Sequence, residues 1–338
     1  MDLRITKIKT GRFAIVFLSA FAIFFVAQGA RSTFAAEKSS KPIPVRIAIV
    51  SKSILDLPFW VARDRGFYRD EGLEAEIVFM RSNLTLQAMT GGSIDFGAAT
   101  GAAVNAIVSG ADLRVVLAMS DRPMFDLVAH PSITTIQQLR GKKIGFGGTG
   151  SLSETIVRQI LNVNQIQPDQ VKFINLGQNS LTYVALKTGL IDVTTLQVPQ
   201  TFFAQDEGFR KLAATADFYR VVQGGLTTMK ATLTERPELA AKVVRATLRA
   251  VRLIVNDKKY ALEIMKGPHL ELGNNRDRFV ERTYDAGVQA YLTSGVVDER
   301  LQREMIAVAA QRLKPQQPVA PERVFDFSFA RKASEALR

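Results

Sequence analysis

The chain has no cysteine, two histidines and one tryptophan, and its basic residues form no block of the kind that makes a nucleic-acid arm. Without cysteine there are no disulfides and no thiolate metal ligands, and a lipid-anchored export signal, which needs a cysteine at its cleavage site, is excluded. His130 lies beside a proline and His269 sits in Lys266-Gly267-Pro268-His269, too far apart in sequence to read as a metal pair. No G-x-S-x-G elbow is present and no Gly-Lys-Ser/Thr follows a glycine loop, so neither a nucleophile turn nor a P-loop is indicated. No catalytic residue, cofactor or metal is expected. What the chain does have is length for roughly two domains, 338 residues, and 47% hydrophobic residues, enough for a sizeable core.

Its start reads as a targeting segment. Arg4, Lys7, Lys9 and Arg12 stand against Asp2, Phe13 to Ala27 is an uncharged apolar run, and the pairs Ala27/Gly29 and Thr33/Ala35 suit cleavage. The apolar run is short for a membrane span of about 20 residues, so a secretory signal peptide over residues 1–35 is expected, with an uncleaved anchor as the alternative. With no cysteine, a soluble periplasmic protein follows. The segment before Ala36 carries a third of the formal charge of +12, and the rest is spread out. That pattern reads as a solvated surface with mild steering of anions, and no nucleic acid is expected as a partner.

Beyond the leader, apolar strands alternate with helices. Pro44–Val50, Leu73–Met80, Ile94–Ala98 and Leu113–Met119 read as strands, with helices over Phe59–Tyr68, Leu84–Thr90 and Ala102–Val108. A second round places strands at Lys143–Phe146, Val171–Leu176 and Ile191–Thr195. Its helices are Thr134–Leu139, one from Ser151, Leu181–Lys187 and one after Pro199. The rounds align at an offset of 97 residues: Ala88-Met89-Thr90-Gly91-Gly92-Ser93-Ile94-Asp95 on Ala185-Leu186-Lys187-Thr188-Gly189-Leu190-Ile191-Asp192, and Arg46-Ile47-Ala48 on Lys143-Ile144-Gly145. An α/β fold of two lobes with one topology is expected. From Thr234 the pattern turns helical, with a long helix whose face carries Val244, Leu248, Val251 and Val255, and further helices over Tyr260–Lys266, Arg276–Thr293, Asp298–Leu313 and Ser328–Leu337.

The glycine-rich turn Gly145-Phe146-Gly147-Gly148-Thr149-Gly150 enters a helix at Ser151. Ser151 and Glu154 make a capping-box pattern, and free N–H groups at such a helix start suit an anion or a polar group. The plainer reading is a cap and nothing more. The same glycines match G-x-G-x-x-G, yet Gly145 lies inside the strand, and the next strand ends in Leu176-Gly177-Gln178 without the carboxylate that holds a ribose.

The run Leu57-Pro58-Phe59-Trp60-Val61-Ala62-Arg63-Asp64-Arg65-Gly66-Phe67-Tyr68-Arg69-Asp70-Glu71-Gly72-Leu73, with Gly92-Ser93-Ile94-Asp95-Phe96-Gly97, Leu139-Arg140-Gly141-Lys142-Lys143-Ile144-Gly145 and Gly189-Leu190-Ile191-Asp192, resembles the nitrate/sulfonate/taurine-type substrate-binding proteins of ABC importers. The likeness runs from about Val45 to Leu313. It implies a two-lobed type II periplasmic binding protein fold with a cleft between lobes and a helical C-terminal region. Lobe one would be residues 44–122 with 226–338, lobe two residues 123–225, and the crossovers Met124–Ala129 and Gly224–Ala231. It also implies a monomeric receptor for a small molecule that serves an ABC permease. Carried over by position, the ligand-binding candidates are Ser51 and Ser53, Thr100 and Gly101, Thr149, Gly150 and Ser151, and Gln197. Thr100 also reads as an N-cap and Pro199 as a helix start. Phe59 and Trp60 read as core or helix packing before cleft walls, and Asp126 as the partner of Arg122 before a ligand contact.

A thiamine-pyrimidine synthase family shares this resemblance but carries a cysteine-rich signature. A chain with no cysteine and an export leader departs from it, so a non-enzymatic receptor or an exported ligand sensor is expected. The neutral donors among the candidates suit a sulfonate, a carboxylate or an uncharged heterocycle such as a thiamine precursor.

Overall fold

The computed structural model describes residues 41–270, 272 and 276–338; the leader expected over residues 1–35 lies outside them. Strand β1 (Ile43–Ile49) buries Val45, Ile47, Ala48 and Ile49. It runs parallel to β2 (Leu73–Phe79) on one side and β3 (Phe96–Gly97) on the other. The sheet is completed by β4 (Leu113–Ala118) and by a late strand, β10 (Gly225–Met229), which is antiparallel to both β3 and β4, giving the order β2-β1-β3-β10-β4.

The second sheet repeats this plan. Its strands are β5 (Phe125–Ala129), β6 (Lys143–Phe146), β7 (Lys172–Asn175), β8 (Val193–Gln197) and β9 (Arg210–Ala214), in the order β7-β6-β8-β5-β9. Here β5 is the antiparallel member, paired with β8 and β9. Each sheet thus receives one strand from the chain just after it has crossed over. The segments expected as crossovers are therefore full sheet members, and the passages between sheets are residues 119–124 and 215–224. The strand β9 carries no signal strong enough to have been expected.

The offset of 97 residues holds in atomic detail. Ile47 pairs with Phe96 and Ala48 with Gly97, as Ile144 pairs with Val193 and Gly145 with Thr194. The Arg46 N–H donates to Asp95 Oδ2 at 2.9 Å and the Lys143 N–H to Asp192 Oδ2 at 2.8 Å, so the acid of each Ile-Asp motif ties the start of the first strand to the third. The second strand slips: Arg46 faces Glu76, whereas Lys143 faces Lys172, one residue short of the offset.

Helices cover both faces, as the alternation demands. The first is broken where Gly66 turns to φ +76°, leaving helices Leu57–Asp64 and Phe67–Asp70. The segment expected as a helix over Thr134–Leu139 is a single 3-10 turn, Ile136–Leu139, closed by a Thr135–Gln138 capping box. Helix Pro237–Asn256 buries Val244, Leu248 and Val251, with Ile254 rather than Val255 completing the stripe, and its Thr247 meets the Tyr68 hydroxyl at 2.9 Å. Helix Glu299–Leu313 places Leu301, Met305 and Ala309 in one apolar cluster with Val104 and Ile107 of helix Thr100–Val108 and Ile156 and Ile160 of helix Leu152–Val163. That shared core seats the two sheets side by side, with the ends of their parallel strands facing one cleft.

Candidate functional site

Parallel strands that end together leave loops and helix starts around a common crevice, which is where open α/β sheets hold ligands. In this molecule two adjoining chambers of about 610 and 500 Å³, counting space open to solvent, share Val50, Ser51, Ser53, Phe125, Asn179 and Gln197 as walls. Three of the expected residues, Ser51, Ser53 and Gln197, therefore line both chambers. Thr100, Gly101 and Ser151 line the second.

Thr149 and Gly150 reach neither chamber wall, and the glycine loop is held by side chains from both halves. The Thr149 hydroxyl accepts from Asn175 Nδ2 at 3.0 Å, and the Gly150 carbonyl accepts from Asn105 Nδ2 at 3.1 Å. The helix start beside them is occupied by protein. Ser151 Oγ accepts the Glu154 N–H, as a cap should, but the Glu154 carboxylate takes the N–H of Gly150 at 2.6 Å instead of that of Ser151. Glu154 is buried and held by Arg158 at 2.9 Å and Arg312 at 3.6 Å. A carboxylate already sits on the positive end of this helix, which makes it a poor place for a second anion.

Thr100 and Gly101 serve structure as well as lining the wall. The Thr100 hydroxyl donates to the Val222 carbonyl at 3.2 Å. A Cβ on Gly101 would stand 3.0 Å from Leu152 Cβ, so glycine lets the starts of helices Thr100–Val108 and Leu152–Val163 approach across the cleft.

Sequence reasoning missed several walls. Phe125, the first residue of β5, lines both chambers, while Phe59 is wholly buried and Trp60 stacks on His269 with centroids 4.7 Å apart. The antiparallel pairing of β5 with β9 also redirects Asp126, which meets Lys211 at 2.6 Å; the expected partner, Arg122, turns to Asp121 at 3.3 Å. The first chamber is lined by two cations, Lys52 and Arg81, and among the described residues neither enters an ion pair. Lys52 lies 6.0 Å from the centre of the Phe79 ring. Two residues of the same chamber carry polar atoms that are buried without a hydrogen-bond partner, the Thr195 hydroxyl and Asn179 Oδ1, the latter packed against Gly147.

The second chamber holds the most perturbed carboxyl of the cleft. Asp56 is 3% exposed, and burial pushes its pKa up from 3.8 to about 7 against two hydrogen bonds from Ser51 that pull it down. The only sequence sign was its place three residues after Ser53, at a turn where an acid normally reads as a helix cap.

The chain is 24% identical over 226 residues to the riboflavin-binding protein RibY of Chloroflexus aurantiacus, a match that covers 64% of this chain and 64% of that relative's length. Among solved structures, the alkanesulfonate-binding protein SsuA of Xanthomonas axonopodis pv. citri, bound to MOPS, superposes with a TM-score of 0.69 at 19% identity, covering 85% of this chain and all of that one. The periplasmic nitrate-binding protein NrtA of Synechocystis PCC 6803 gives a TM-score of 0.71 at 11% identity, covering 87% and 89%. The desulfurization enzyme DSZB shares the fold more loosely, with a TM-score of 0.60 at 13% identity over 88% and 100% of the two chains. These likenesses establish the two-lobed fold of the periplasmic ABC substrate-binding proteins, a group made up mostly of binders. The model of the family described as NMT1/THI5 like matches residues 56–261, and the chain belongs to that family.

Proposed function

We propose that the protein is the solute receptor of an ABC importer and binds a small organic anion, a sulfonate or carboxylate, in the cleft. The observation that carries this reading is the pair of cations lining the first chamber, Lys52 and Arg81, set in an otherwise neutral wall with no carboxylate partner among the described residues. The acid group sits there, and the rest of the molecule lies along Phe125 toward Ser51, Ser53 and Thr100. The lobes, residues 44–122 with 226–338 and residues 123–225, close on it about the two passages between sheets, and the loaded, exported protein delivers it to a permease.

A second reading is an uncharged heterocycle, favoured by the RibY relative. A thermal-shift panel of alkanesulfonates, arenesulfonates, carboxylates, nitrate, riboflavin and a thiamine pyrimidine decides between them, since a ligand at 100 times its Kd adds about 2.7 kcal/mol of stability. An anion that binds should lose about tenfold in affinity in both Lys52→Ala and Arg81→Ala, the effect of one charge-assisted hydrogen bond. Riboflavin bound with equal affinity by all three proteins would instead support the second reading. Small-angle scattering with the ligand so found should show a smaller radius of gyration than without it.

A further inference from the structure

Three polar groups in the second chamber form a chain whose proton positions are fixed by chemistry. Both the N–H and the hydroxyl of Ser51 point at one oxygen of Asp56, with the N–H at 3.0 Å, and Ser51 Oγ lies 2.9 Å from Ser53 Oγ. An ionised carboxylate can only accept. The Ser51 proton is then committed to Asp56, Ser53 must donate to Ser51, and the pair turns lone pairs alone toward the cleft. If Asp56 carries a proton, the chain reverses: Asp56 donates to Ser51, Ser51 to Ser53, and the Ser53 proton is free for a ligand.

We propose that Asp56 sets the hydrogen-bond polarity of the Ser51–Ser53 subsite, so that an organic anion bound in the cleft is selected by a neutral hydrogen-bonding group it carries apart from its acid group: a donor such as an amine, amide or ring N–H when Asp56 is ionised, an acceptor when Asp56 is protonated. This rests on the cleft being the ligand site. The subsite is well placed for such a role, because Ser51 and Ser53 line both chambers, and the first of these is also lined by Lys52 and Arg81.

The surroundings leave Asp56 free to act as the switch. Nearby, the Tyr291 hydroxyl donates to the Ile54 carbonyl, and burial, with the Asp56 charge adding to it, holds the Tyr291 pKa well above its ordinary value; the Tyr284 hydroxyl donates to the Ile254 carbonyl at 3.0 Å. Among the described residues Asp56 forms no ion pair, and burial raises its pKa to about 7 against the Ser51 hydrogen bonds, which lower it. Near neutral pH both proton arrangements are therefore reachable.

Three probes of one shape separate the possibilities: 4-aminobenzenesulfonate, which offers N–H donors, 4-methylbenzenesulfonate, which offers nothing, and 4-nitrobenzenesulfonate, which only accepts. Their sulfonates stay ionised throughout, and the amine stays neutral. Calorimetric titration at about pH 5 and about pH 9 brackets the Asp56 transition. A donor favours ionised Asp56, so the amine should bind about tenfold more tightly at the higher pH and release a proton near pH 7; the nitro compound should show the opposite trend, and the methyl compound none. In Asp56→Asn all three trends should vanish. Should that variant fold poorly, the Asp56 carboxyl ¹³C resonance of the unaltered protein gives the same answer, its pKa moving down with the amine and up with the nitro compound.

Binding that Lys52→Ala and Arg81→Ala weaken, yet with no difference among the probes and no pH trend, overturns this assignment and leaves the receptor reading standing. Binding that those two variants do not touch, or no binding by any of the three, overturns the cleft reading for such anions and the assignment with it.

Discussion

The two halves of the repeat share a strand frame and differ in how each treats one buried carboxylate. After β1 the first half places Asp56, 3% exposed, against two groups of Ser51, and among the described residues it forms no ion pair. After β6 the second half places Glu154, 4% exposed, between Arg158 and Arg312. The two acids stand close to the repeat offset, 98 residues apart, at the mouths of equivalent strands. One half thus keeps its acid neutralisable and open to the chamber, and the other locks its acid as a structural counter-charge. Duplication supplies a scaffold with two equivalent ends, and the side chains around each end decide which becomes electrostatically adjustable. Fold and function separate here because the backbone register does not encode the cations.

The largest expected consequence of this asymmetry is a pH-dependent stability that comes from the first half. Folding raises the pKa of Asp56 from 3.8 to about 7. The folded state therefore holds the proton more tightly, so stability is full below about pH 4, falls as pH rises through about 7, and is level above that. Three pKa units correspond to about 4 kcal/mol at most. Asp56→Asn should remove that loss: urea unfolding at about pH 9 should find the variant more stable by up to about 4 kcal/mol, with the gap closing near pH 4. A gap that does not change with pH would mean that the carboxyl is solvated and the contrast with Glu154 is false.

The second half should respond to loss of its cations instead. Replacing both Arg158 and Arg312 by methionine strands Glu154, and breaking a buried pair costs about 3 kcal/mol, toward the low end because the arginine side chains are 34% and 31% exposed. Adding Glu154→Gln should restore most of the loss, since the amide oxygen still accepts the Gly150 N–H and no charge is left uncompensated. Denaturant unfolding of the double and triple variants measures both steps. Equal stability of the two would show that the arginines act by packing alone.

What could be read beforehand divides along the same line. Strand alternation, the 97-residue repeat and the paired Ile-Asp motifs are local patterns, and the sheets formed as they indicated, with the Asp95 and Asp192 bonds as the physical reason the motif recurs. Ser51, Ser53, Thr100, Gly101, Ser151 and Gln197 reached the chamber walls because each follows a parallel strand or opens a helix at the same end of its sheet. Phe125 and Asn179 were not legible, since β5 joins the second sheet antiparallel and Asn179 lies in a turn that enters the cleft by tertiary packing. Lys52 and Arg81 looked like ordinary surface cations, and only the fold shows that no carboxylate among the described residues neutralises them. The misplacement of Thr149 and Gly150 has a similar cause. A glycine-rich turn advertises backbone freedom, and the partners that used it, Asn175 and Asn105, come from elsewhere in the chain.

The smallest effect compares the two serines. Ser151 Oγ accepts the Glu154 N–H at 3.3 Å and meets Ser153 Oγ at 2.9 Å, groups that do not titrate in the accessible range. Ser151→Ala should therefore cost about 1 kcal/mol, the value of an N-cap, at every pH. Ser51 contacts a carboxyl that does titrate. With Asp56 protonated, Ser51→Ala removes a neutral hydrogen bond worth about 1 kcal/mol; with Asp56 ionised it removes a charge-assisted one worth about 2 kcal/mol, and the remaining Ser51 N–H cannot replace it. The loss should also push the Asp56 pKa further up, because the Ser51 hydroxyl is one of the two contacts that lower it. Unfolding of both variants at about pH 5 and about pH 9 should thus show parallel behaviour for Ser151→Ala and a widening deficit of about 1 kcal/mol for Ser51→Ala. If both deficits stay constant, the Ser51 proton is not committed to Asp56, and the two halves use their serines in the same way.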